Sequence, residues 1–193
     1  MRINELVNRS ILIGILTLLS ISSYAQTKEQ NWNIGLKNHW YNGSRANSPS
    51  AYGLGVFVNH QASIFNHSKW LMIHELGYDR ILSKAETNNP LFWYQEGAVR
   101  LNSWIARTLD YKSNHFTFGL GLSLMYGNQL TGGALVNGEF INANYSYELS
   151  YGPVFSLTYN NSAISDRFGL RLDHERYDSR DKISSISLLY RLF

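Results

Sequence analysis

Residues His115–Gly127 read HFTFGLGLSLMYG, and their alternation is unbroken. Phe116, Phe118, Leu120, Leu122, Leu124 and Tyr126 share one face; Thr117, Gly119, Gly121, Ser123, Met125 and Gly127 share the other. A period of two sustained over this length makes a strand and excludes a helix. One face is wholly apolar with aromatics at both ends, and the other is small. A soluble sandwich would turn the apolar face to a second sheet. A transmembrane barrel would turn it to lipid, with the aromatic ends at the two headgroup levels and the small face in the lumen. A tilted membrane-crossing strand needs roughly 9–11 residues, which this stretch supplies.

The rest of the chain repeats the design. Strands are expected at Asn31–Tyr41, Ala51–His60, Lys69–Asp79, from near Leu91 to Thr108, at His115–Gly127, Tyr145–Tyr159, Ser165–Glu175 and Ile183–Phe193. Two residues sit badly in it. His74 falls on the apolar face of the third strand, and Pro153 lies inside the sixth, where it withholds a ladder donor. The first, third, fifth and seventh connections are the longer and more polar, with Asn128–Asn144 expected as the longest loop. The second, fourth and sixth are expected to span about five to seven residues, the asymmetry of short periplasmic turns and longer outer loops. The fold class this predicts is all-β: an eight-stranded antiparallel up-and-down transmembrane barrel in the outer membrane. The alternative is a secreted lipocalin-like barrel binding apolar ligands, which would turn Phe116, Leu120 and Leu124 inward.

Residues 1–25 are set apart as a secretory signal peptide: basic Arg2 and Arg9, an apolar Ile11–Ile21, and Ser23-Tyr24-Ala25 before the cleavage point. The barrel domain is then residues 26–193. An apolar run of this length is too short to span a bilayer as a helix. The chain has no cysteine, which excludes both disulfides and a lipid-anchored N-terminus. A formal charge of +3, dispersed along the chain, gives no basis for a nucleic-acid partner. Aromatic residues make up 14% of the chain, with 13 Tyr and 5 Trp, as an interfacial girdle requires.

Turning the apolar faces to lipid turns a set of charges inward. These are Lys37, Arg100, Arg167, Arg171 and Arg191 against Glu75, Asp79, Glu96, Glu148 and Asp173. Eight strands enclose only enough room for side chains, so these charges are expected to pair as a structural lumen network. The six histidines show no metal-ligand spacing, and neither a metal nor another cofactor is expected.

The terminal Phe193 resembles the C-terminal signature by which barrels are handed to the outer-membrane insertion machinery, although Tyr190 is out of phase with it. His174 near the end of the seventh strand resembles the lipid A deacylase barrels, but the serine those enzymes need two residues later is Arg176 here. His39, Asp79, Gly119-Leu120-Gly121 and Tyr151-Gly152-Pro153-Val154 are similar to fragments of the lipid A palmitoyltransferase. The serine that family carries next to the acid is Arg80 here. If the chain were an enzyme of either kind, His39, Asp79 and His174 would be its catalytic candidates. Trp70 with Glu75, Tyr94-Gln95-Glu96-Gly97, Tyr126-Gly127-Asn128 and Ser165-Asp166-Arg167-Phe168 resemble, in order and spacing, the TraO proteins of conjugative transfer. The expectation drawn from the whole is a non-enzymatic envelope protein with a structural or interaction role. Its expected partners are outer-membrane lipid, including lipopolysaccharide, the insertion machinery through Phe193, and a protein at the outer loops.

Overall fold

The computed structural model describes residues 30–42, 51–64, 69–81, 97–136, 139–177 and 182–192, with the side chains of Gln30, Tyr41, Asn42, Ala51, Ile81, Glu148 and residues 128–146 outside that description. The expected signal peptide, Glu96 and Phe193 also lie outside it. Eight strands follow one another: β1 Gln30–Asn42, β2 Ala51–Ser63, β3 Trp70–Ile81, β4 Ala98–Tyr111, β5 Asn114–Val136, β6 Glu139–Asn161, β7 Ser165–Arg176 and β8 Lys182–Arg191. Each pairs antiparallel with its sequence neighbours, and β1 pairs with β8 from Asn33↔Arg191 to Asn42↔Lys182, closing the barrel. Closure leaves no edge strand inside the membrane and gives every spanning peptide group a partner.

The alternation in the sequence decides which face is which. Leu36, Val56, Leu76, Leu120, Leu122 and Leu172 project outward and are each more than half exposed. In a soluble barrel these residues would be inside, so the lipocalin-like alternative is excluded. The aliphatic belt is bounded by aromatics. Trp32, Trp70, Tyr111, Phe118 and Phe168 stand toward one end; Trp40, Tyr52, Tyr78, Tyr126 and Tyr151 stand toward the other. Trp32 and Trp40 on β1 are separated by roughly 20 Å along the axis at the usual rise and tilt. With their rings reaching past each end, they frame the hydrocarbon layer.

The two ends differ. At the end holding both termini, the connections are 64–69, 112–113 and 162–164, the last two shorter than expected. By the rule of short periplasmic turns this is the periplasmic end. At the other end β5 and β6, at 23 residues each, run far past their neighbours. Pairing of β4 with β5 stops at Ala98↔Gly127 and pairing of β6 with β7 at Val154↔Glu175, whereas β5 and β6 remain paired to Val136↔Glu139. The expected loop Asn128–Asn144 is therefore largely a two-stranded ribbon standing roughly 30 Å beyond the end of β4. Its glycines and asparagines do not prevent pairing, because the ladder is made by the backbone. Register shifts on either side of Gly132 absorb the irregularity. Among the described residues β4 runs from Ala98, and the expected start near Leu91 lies outside the description. Pro153 sits one residue beyond the point where β6 stops pairing with β7, so its missing N–H interrupts no ladder on that side.

The two-residue turn between β4 and β5 holds Lys112 at φ 54°, a left-handed conformation that costs a residue with a Cβ about 1 kcal/mol. Lys112→Gly should raise the stability of the vesicle-inserted barrel in urea by up to about 1 kcal/mol. Lys112→Val should lower it by at least as much; equal midpoints for the two variants would show the turn to be unstrained.

Candidate functional site

The inward faces of β1, β3, β4 and β7 converge on one ionic cluster. Lys37 leaves β1 beside Gly35 and His39, and its Nζ donates to Glu75 Oε1 of β3 at 3.3 Å. It also lies 3.5 Å from Asp173 Oδ2 and 3.9 Å from Glu175 Oε1. Arg171 bridges β7 to β3, with Nη2 at 2.6 Å from Glu75 Oε2 and Nε donating to Asp173 Oδ2 at 2.9 Å. Arg100 on β4 binds Asp79 through Nη2 and donates from Nη1 to Glu175 Oε2 at 2.6 Å. Asn102 Nδ2 reaches both Glu75 Oε1 and Glu175 Oε1, at 3.4 and 3.3 Å. The side chains of Lys37, Glu75, Arg100, Arg171, Asp173 and Glu175 are almost wholly buried. A single salt bridge exposed on a surface adds little, whereas these charges have no water to fall back on and each depends on its partners.

The packing around the cluster explains its shape. Phe57, inward on β2, lies under both cations: Arg171 Cζ is 4.3 Å and Lys37 Nζ 5.4 Å from the ring centroid. The same guanidinium is 5.3 Å from the centroid of Trp104, which belongs to an apolar cluster with Ile73, Ala106 and Val154. These rings supply cation–π attraction where no hydrogen-bond acceptor stands. A Cβ on Gly55 would collide with Asp79 and one on Gly119 with Trp104, so these glycines make the room those side chains occupy.

Two members of the cluster were not among the expected lumen charges. Glu175 has no exposed surface to speak of and is central to the network. Tyr177 follows it inward, its hydroxyl donating to Glu175 Oε2 at 2.6 Å. Because a phenol has one proton to give, the 2.8 Å contact with Ser123 Oγ must be a hydrogen bond donated by the serine. The signal was present in the sequence: Glu175 and Tyr177 continue the parity of Arg171 and Asp173. Of the expected set, Lys37, Glu75, Asp79, Arg100, Arg171 and Asp173 are brought together. Arg167 and Arg191 are not. Arg167 is exposed at the periplasmic mouth, where Nη1 donates to Tyr190 OH at 3.1 Å, and Arg191 is half-buried beside it. Both line a polar cavity of about 290 Å³ that also takes in Asn31, Asn33, Thr117 and Asn160. Their parity is inward, but they stand too close to the mouth to reach the cluster. Glu96 lies outside the description, and of Glu148 only the backbone pairing with Gly127 is described.

The three catalytic candidates fall on two sides of the wall. His39 is buried in the lumen, with Nδ1 3.8 Å from Asp79 Oδ1, too far for a hydrogen bond. His174 faces outward and shares a 3.0 Å hydrogen bond through Nδ1 with Ser184 Oγ of β8. Asp79 therefore cannot orient His174, and these residues do not form one Ser–His–acid constellation. Among the described residues no group of three or more His, Cys, Asp or Glu is placed to hold a metal ion.

The architecture decides the likeness to known proteins. No family model and no curated protein matches the chain. Among solved structures, Neisserial surface protein A aligns with a TM-score of 0.54 at 11% identity, over 84% of this chain and 95% of its own. Ail, the attachment invasion locus protein of Yersinia pestis, aligns with a TM-score of 0.50 at 10% identity, over 84% and 97%. The fold is that of the small outer-membrane barrels. With its lipid-facing apolar belt, the chain is an eight-stranded barrel of the outer membrane.

Removing one partner from the cluster should be costly. Arg100→Met leaves Asp79 without its arginine and Glu175 with only the more distant Lys37, and should destabilise the inserted barrel by about 3–5 kcal/mol in urea titration. The rim variant Arg167→Met should change it by less than about 0.5 kcal/mol. A similar midpoint for both would mean that water reaches the cluster freely.

Proposed function

We propose that this chain is a closed barrel that anchors and displays the β5–β6 ribbon at the cell surface, in a structural or interaction role in the envelope. The observation that carries the reading is the pairing of the two ends: a lumen filled by interlocked charges and a ribbon extending far beyond the membrane on one side only. A barrel spanned by Lys37, Arg100, Arg171 and their carboxylates has no water-filled path through it, which argues against a porin-like role. A surface ribbon has no purpose in a passive membrane plug, and it offers backbone and side chains to a partner outside the cell. In this reading residues 1–25 direct export, Phe193 engages the insertion machinery, and lipid, including lipopolysaccharide, covers the belt. A protein partner would meet the ribbon.

The enzymatic alternative is weaker. Ser184 and His174 are paired on the lipid-facing side, but no described acid orients the imidazole, and a nucleophile needs its base held by a third group. The transfer-apparatus alternative rests on short motifs alone. Of these, Ser165-Asp166-Arg167-Phe168 opens β7 at the periplasmic mouth, and most of Tyr94–Gly97 lies outside the described residues.

An epitope inserted between Asn137 and Gly138 should be labelled by antibody on intact cells. The same epitope between Lys112 and Ser113 should be labelled only after permeabilisation. The reverse pattern would place the ribbon in the periplasm and overturn the reading. In planar bilayers the purified barrel should show no stable open-channel conductance. Lipid A mass spectra should be the same with wild type, His39→Ala and His174→Ala, and an acyl chain gained or lost with wild type alone would favour the enzyme.

A further inference from the structure

The outward column shared by β7 and β8 changes character as it nears the outer rim. Leu172 stands opposite Ile186, both lipid-facing. Two residues further out His174 stands opposite Ser184, and two further again Arg176 stands opposite Lys182, both exposed. Each step is about 7 Å along the strands. Trp40 of β1 flanks Ser184 across the closing seam, so the His174–Ser184 pair lies at the level of the aromatic girdle. The two cations lie one step above it, in the headgroup zone.

Like charges placed directly opposite on adjacent strands repel, and here nothing among the described residues relieves them. Exposed cations at the periplasmic rim have partners. Lys69 Nζ is 2.8 Å from Asp110 Oδ2, Arg107 lies over the ring of Trp70, and Lys112 lies over that of Tyr111. Arg176 and Lys182 have no such partner among the described residues. The hairpin joining them adds Asp178, Arg180 and Asp181 to the sequence, which leaves the whole tip positive.

We propose that Arg176 and Lys182 form a binding site for the phosphate of a phosphorylated outer-leaflet lipid, whose acyl chains lie along the Leu172–Ile186 column. The proposal rests on the outer-membrane reading above and names the ligand chemistry for one strip of the barrel. Arg176 supplies a planar fork matched to phosphate oxygens and Lys182 a point charge on the same anion. The anion removes the repulsion between them. A free phosphate would gain the same two contacts, but only a lipid phosphate is delivered to this height with an apolar tail on the wall directly below.

The test is native mass spectrometry of the detergent-solubilised full barrel with lipid A carrying its phosphates, with dephosphorylated lipid A, and with inorganic phosphate. Wild type is expected to prefer the phosphorylated lipid by about tenfold or more, the scale of two cations at an anionic surface. Arg176→Gln with Lys182→Gln should lose the preference, while keeping heat-modifiable gel migration as proof of folding. Lys112→Gln, a cation at the opposite rim, should keep it. Equal binding of the two lipids by wild type, or an unchanged preference in the double variant, overturns the site alone. Competition by inorganic phosphate at the same concentration as the lipid overturns the lipid assignment. Binding of neither lipid overturns the site together with the lipid contact proposed for the belt.

Discussion

Every peptide group that crosses the hydrocarbon layer must find its hydrogen-bond partner in another strand, because lipid offers none. In this chain that requirement is met at the seam between β1 and β8, where ten consecutive residues of each strand are in register. The seam fixes the strand count at eight. Eight strands fix a lumen that side chains can fill, and the outward faces must then be apolar over the height of the bilayer. The alternation in His115–Gly127 is the sequence's response to that geometry. So are the small inward residues, since a large side chain at Gly55 or Gly119 would displace Asp79 or Trp104.

A filled lumen could have been made of aliphatic side chains. Here part of it is, around Ile73, Trp104, Ala106 and Val154, and the remainder is ionic. Replacing a buried ion pair by well-packed apolar groups is often neutral or stabilising, so the cluster is not explained by stability alone. Its distribution over the strands suggests what it does instead. Arg100 on β4 holds Glu175 of β7, Arg171 on β7 holds Glu75 of β3, and Lys37 on β1 meets carboxylates of β3 and β7, none of them on a neighbouring strand. These contacts tie opposite walls together across the lumen. An alternative register that moved one strand by a single residue would send its charges into lipid, which penalises mispairing severely.

The side of the wall on which a residue lies was legible in the sequence; its height on the wall was not. Parity placed Lys37, Glu75, Arg100, Arg171 and Asp173 inward, and they are inward. The same parity included Arg167 and Arg191, which point the same way but stand at the periplasmic mouth, because a period of two carries no information about depth. Glu175 closes the expected strand Ser165–Glu175 with the inward parity of Arg171 and Asp173, and Tyr177 continues that parity past the expected end of the strand, into a stretch that reads as a polar turn. Asn137-Gly138 between Val136 and Glu139 is a hairpin signal of the strongest kind. It was hidden in a stretch whose Gly and Asn content resembles an irregular loop. Composition described that stretch correctly as turn-like but could not show that backbone pairing continues through it. Parity also separates the two histidines, since His39 shares the inward face of Lys37 and His174 the lipid-facing parity of Leu170 and Leu172.

The charged cluster fills the middle of the lumen, and the two ends of the barrel differ in what they present. The periplasmic end presents short turns and a small polar cup. The outer end presents the ribbon and, on the neighbouring wall, a facing pair of cations with no acidic partner among the described residues. The ribbon's strands are continuous with the wall through Gly127 and Glu148, so a load on the tip passes into the paired β4–β5 and β6–β7 ladders and not into a hinge. Fixing the wall to lipid phosphate at β7–β8 would anchor the strand next to β6 at the point where its pairing with the ribbon strand ends. Under the proposed display role, a braced interior and a rim anchored in this way would serve the same requirement, which is to hold a long two-stranded projection at a constant angle to the membrane.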